Sequence, residues 1–84
     1  MPKAPIDQAR WQAWIDHVCR GVGVDPVQVD VAAIHGFSGE VASCYTRPMA
    51  PVASHLWGVA RGVRPESRDA ARDHLLAAAR EAGR

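Results

Sequence analysis

The sequence predicts an all-α protein: a compact bundle or array of four helices over about residues 8–20, 31–46, 51–62 and 65–82, with a short helical turn near 26–29. Three observations predict it. Apolar residues recur at spacings of three and four along most of the chain, which is the period of one helix face. No segment alternates apolar and polar at period two, as a half-buried strand would. Asp, Pro and Gly fall where helices start and stop. Residues 1–6 read as an N-terminal tail and 7–84 as a single helical domain.

In the first helix Trp11, Trp14, Ile15, Val18 and Cys19 share one stripe, so the two tryptophans are expected as core anchors. Asp7 is a candidate N-cap, because its carboxylate can accept from unpaired N–H groups of the first turn. Gly21 or Gly23 can supply the left-handed residue that ends the helix, and Asp16 and Arg20 form an i, i+4 pair on the other face. Asp25-Pro26 signals a short helical turn, and Asp30 caps the next run. There Ile34, Phe37, Val41, Cys44 and Tyr45 mark the buried side. Gly36 and Gly39 interrupt this helix, so either another helix packs closely against them or the helix breaks. The register of apolar residues past both glycines favours close packing.

Arg47-Pro48-Met49-Ala50-Pro51 reads as an extended connector, since proline biases the residue before it away from helix. The third helix then carries Val52, Leu56, Val59, Ala60 and Val63 as its apolar stripe, with Trp57 at the edge of that stripe and Gly62 as a closing residue. The fourth opens at Pro65-Glu66 and puts Ala71, Leu75, Ala78 and Ala82 inward, with Leu76 and Ala79 widening the stripe. Arg68, Asp69, Arg72, Asp73 and Arg80 are expected mostly on its solvated face.

Composition narrows the function classes. Apolar residues are 48% and charged residues 23% of the chain, which is the balance of a folding domain. A net charge of +1 with a pI near 7.9 supplies no field for a phosphate backbone, so no nucleic-acid partner is expected. Met1-Pro2-Lys3-Ala4-Pro5 lacks the apolar core of a secretory signal, and no run approaches the roughly 20 apolar residues of a membrane span, so no membrane association and a cytoplasmic location are expected.

No chemical motif emerges. His17, His35, His55 and His74 fall one per helix and match no metal-ligand spacing, so no metal is expected. Cys19 and Cys44 sit on apolar stripes as small core residues, and His17 lies two positions from Cys19, about 200° away round the helix, so the two make no nucleophile pair. The glycines fit neither a P-loop nor a dinucleotide pattern. No cofactor and no catalytic residue are therefore expected. Tyr45, Met49, Trp57 and His55 are the candidates for a partner surface, the first three because aromatics and Met are enriched at interface cores. Arg47, beside Pro48, is the candidate for binding a phosphate-bearing cofactor or nucleotide.

The run from Trp14 to Arg61 resembles an uncharacterised small helical family of actinobacteria, found alone or appended to the molybdenum-cofactor guanylyltransferase. The residues that carry the resemblance are Trp14-Ile15, Val18-Cys19, Gly23-Val24-Asp25-Pro26, Val29-Asp30, Val41-Ala42, Arg47-Pro48, Ala50-Pro51, Leu56, Gly58 and Ala60. Family members usually read acidic, Val, Ala, His over the segment matching Glu40 to Ser43, so Ser43 stands where a histidine is usual. Two further departures are His55, where an aromatic or aliphatic residue is usual, and Trp57, where leucine is usual.

The resemblance implies a non-catalytic accessory domain linked to molybdopterin guanine dinucleotide biosynthesis, whose protein partner is that guanylyltransferase or a molybdoenzyme. The chain is too short to be the transferase, which needs a nucleotide-binding α/β domain. A small-molecule or nucleotide carrier using Arg47 is the alternative, and a self-associating domain, a homodimer, is another.

Overall fold

The computed structural model describes residues 8–84, so the predicted tail at 1–6 and the Asp7 cap lie outside the described residues. Four α-helices follow one another: α1 (Gln8–Val22), α2 (Val31–Cys44), α3 (Met49–Val63) and α4 (Arg68–Ala82). A 3₁₀ turn at Pro26–Gln28 precedes α2 and another at Pro65–Ser67 precedes α4. No strand occurs among the described residues, as the absence of period-two patterning predicts. The chain divides into two units, one up to Ala33 and one from Ile34 onward.

In the first unit, α1 runs to Val22, two residues past the predicted end, and of the two candidate stops it is Gly23 that ends it. Gly23 takes φ +74°, open to a residue without a Cβ. The Val24 N–H then reaches back to the Cys19 carbonyl at 2.9 Å, closing a Schellman-type turn. Asp25 accepts from the Val27 N–H and Asp30 from the Ala33 N–H, each at 3.0 Å, so both Asp caps form as their spacing predicts.

The inward face of α1 differs from the predicted stripe. Ile15 and Cys19 are buried and Val18 is half-buried, but Trp11 is 39% and Trp14 67% exposed. The reason is Gln8. Its side-chain Nε2 donates to the Val29 carbonyl at 2.9 Å, and its Oε1 accepts from the Val31 N–H at 3.0 Å. One amide thus pairs two backbone groups at the entry to α2. Gln8, Gln12, Ile15, Asp16 and Cys19 share the face that this anchor turns inward, and the two tryptophans fall beside it. Gln12 donates to Asp16 at 2.9 Å along the same face.

The second unit centres on Trp57, which is 2% exposed. Its indole N–H donates to the Arg68 carbonyl at 2.9 Å. Its ring meets that of Phe37 with centroids 4.8 Å apart at 43°, and the Arg61 guanidinium lies 5.4 Å from its centroid. One side chain of α3 therefore touches α2 and the first residue of α4. Ser38 and Ser54 add a 2.6 Å hydroxyl pair between α2 and α3. On α2, Phe37 and Val41 are buried with Ile34 and Cys44 half-buried, as predicted, but Tyr45, expected on the same buried side, falls beyond the helix end and is 45% exposed.

The faces of α3 and α4 are corrected. Trp57 is a core residue, and Ala50 is buried with it, while Ala53, Ser54, Ala60 and Arg61 are half-buried. The predicted stripe of Val52, Leu56, Val59 and Val63 stands exposed. Successive helical residues lie about 100° apart, so turning Trp57 inward carries Leu56 outward. On α4, Leu76 and Ala79 are buried, Arg68, Ala71, Arg72 and Leu75 are half-buried, and Ala78 and Ala82 are exposed. Arg68 and Arg72 thus leave the predicted solvated face. Arginine stems can lie along apolar neighbours while the head reaches charge, and Arg72 pairs with Asp73 at 3.2 Å and Asp69 at 3.7 Å.

Several boundaries also move. Arg47 to Pro51 is not an extended connector: α2 ends at Cys44, a turn follows, and α3 begins at Met49 with Pro48 already helical at φ −61°, ψ −20°. Met49 and Ala50 donate to the Thr46 and Arg47 carbonyls at 3.2 and 3.1 Å. The N–H groups of a helix's first turn have no partner within the helix, so Pro51 fits there without losing a helix hydrogen bond, and Ala50 is helical despite preceding it. Gly62 does not close α3, which runs to Val63 and ends as Arg64 donates to the Ala60 carbonyl. Residues 65–67 form a 3₁₀ turn before α4, and the Ser67 hydroxyl donates to the Arg64 carbonyl at 2.7 Å. At the far end of α4, a Cβ at Gly83 would overlap the Cys44 carbonyl oxygen, so a glycine is required for this approach.

Gly36 and Gly39 neither break α2 nor receive a close neighbour, since a Cβ at either meets nothing within 4 Å. Gly36→Ala is therefore expected to stabilise the protein by about 0.5–1 kcal/mol through helix propensity alone, raising the melting temperature by several degrees in a circular dichroism melt. Trp57→Phe is expected to cost about 1–3 kcal/mol by urea titration, because it removes buried area and leaves the Arg68 carbonyl without its indole donor.

Candidate functional site

Helix α3 presents five apolar side chains outward. Met49, Val52, Leu56, Val59 and Val63 recur at intervals of three, four, three and four, and each is more than a third exposed, from 37% at Met49 to 76% at Val63. That strict alternation describes a narrow seam, the form that fits one facing helix, and differs from the wider stripe of a helix lying on a globular core. The residues beside the seam are Ala53 and Ala60 on one side and His55 and Gly62 on the other, and a Cβ on Gly62 would meet open space. Apart from Arg61, which lies against Trp57, α3 carries no Asp, Glu, Lys or Arg. Nothing of like charge stands along the seam.

At its N-terminal end the seam meets the turn from α2. Tyr45 is exposed there, and its N–H closes the end of α2 on the Val41 carbonyl at 3.0 Å. Arg47 is exposed in the same turn, and Met49 opens α3. His55 is exposed on α3, one position before Leu56. The predicted partner-surface residues Tyr45, Met49 and His55 therefore all reach solvent. Trp57 does not belong with them, because its ring is spent on Phe37, Arg61 and the Arg68 carbonyl.

Sequence reasoning assigned Val52, Leu56, Val59 and Val63 to the core and so missed them as a surface. The signal that could have found them is the uninterrupted three-four spacing from Met49 to Val63, with alanine and glycine alongside, in the same helix as a tryptophan off that register.

A second feature is a shallow, open groove of about 470 Å³ between α2 and α4, lined by His35, Gly36, Gly39, Glu40, Ser43, Cys44 and Arg80. Arg80 pairs with Glu40 across it at 3.2 Å, with both side chains more than half exposed, so the pair contributes little to stability. Ser43, exposed on α2, faces this groove. Arg47 is not among its lining residues. Cys19 and Cys44 are free thiols, the first buried and the second half-buried. Among the described residues, no three His, Cys, Asp or Glu side chains come together as a metal would need, and no helix is long and apolar enough to cross a membrane.

A family model described as a domain of unknown function, DUF6457, matches residues 7–84. The chain belongs to that family. No curated protein and no solved structure matches it. The DUF6457 match spans both units and all four helices, so the α3 seam and the α2–α4 groove both lie within the family's domain.

Proposed function

We propose that this DUF6457 chain is a non-catalytic, cytoplasmic accessory domain that binds a protein partner through the outward face of α3 and the adjoining Tyr45–Met49 turn. The observation that carries this reading is the exposed seam of Met49, Val52, Leu56, Val59 and Val63. A small domain that keeps five apolar side chains at helix-pairing intervals in water forgoes their burial, which at about 25 cal/mol per Å² is a sizeable loss for a protein of marginal stability. A partner helix lying along the seam recovers that area. Tyr45, Met49 and His55 extend the contact at its edge, and their residue types suit the apolar centre and polar rim of an interface.

The resemblance to small actinobacterial domains fused to the molybdenum-cofactor guanylyltransferase supports a finer version. In it, the partner is that guanylyltransferase or a molybdoenzyme, and the domain serves molybdopterin guanine dinucleotide assembly without handling the nucleotide itself.

Leu56→Lys tests both versions, because lysine forms helices about as well as leucine and its head can stay in water. The substituted protein is expected to melt within a few degrees of the wild type. Wild-type protein immobilised on resin is expected to retain purified guanylyltransferase from the same cell, and Leu56→Lys to lose at least tenfold in retention. Equal retention by both would reject the α3 face, and failure of the wild type to retain the guanylyltransferase or any molybdoenzyme would reject the finer version.

A further inference from the structure

We draw no further inference here: the strongest candidate, the shallow groove between α2 and α4 over Gly36, Gly39 and Ser43, is a stripe of small residues whose charged neighbours Glu40 and Arg80 already pair with each other at 3.2 Å, and nothing in the structure shows what covers it.

Discussion

The hydrogen bond from the Trp57 indole to the Arg68 carbonyl, 2.9 Å long and made by a side chain almost wholly out of water, sets the rotation of α3. A buried indole N–H needs an acceptor, and the carbonyl at the start of α4 is the one it reaches. Phe37 takes one side of the ring and Arg61 lies over it. Once those contacts are made, a helix with one residue every 100° has no freedom left in which face it buries. Ala50, Ala53, Ser54 and Trp57 go inward, and the valines and leucine of the other register go out.

That constraint explains why a helix with two apolar registers buries the sparser one. By area alone, Val52, Leu56, Val59 and Val63 offer a longer hydrophobic stripe than Ala50, Ala53 and Trp57. Trp57 combines a large ring with a donor that must be satisfied, and small residues on its register let α3 lie close to its neighbours within this unit. The stripe left outside is then available to another helix. Glutamine has the corresponding role in α1, where the Gln8 amide pairs with the backbone at Val29 and Val31 and displaces Trp11 and Trp14 from the inward face. In both helices a polar group with a specific backbone partner decides the rotation, and the apolar residues follow.

Helices and caps were legible in the sequence because their causes are local. Asp25, Asp30 and Gly23 act within a few residues of themselves, and the α2 stripe of Ile34, Phe37 and Val41 is a single unambiguous register. The faces of α1, α3 and α4 were not legible, since each depends on a hydrogen bond between distant residues: Gln8 with Val31, or Trp57 with Arg68. The boundary at Arg47 to Pro51 failed for a different reason. Two prolines three apart signal a connector, yet both fit the opening of a helix, where the missing N–H groups have no partners to lose. Of the candidate surface, Tyr45 and Met49 were legible as residue types at a predicted linker. The central seam was hidden because exposed and buried apolar stripes share one spacing.

The rotation of α3 is tested most directly by nuclear magnetic resonance of the dilute, monomeric protein with a soluble paramagnetic agent. The methyl signals of Val52, Leu56, Val59 and Val63 are predicted to broaden strongly, while those of Val41 and Leu76 persist and the Trp57 indole proton exchanges slowly with solvent. Sharp, protected methyl signals at Val52, Leu56 and Val59 together with rapid exchange of the Trp57 indole proton would contradict the account, since α3 would then bury the opposite face.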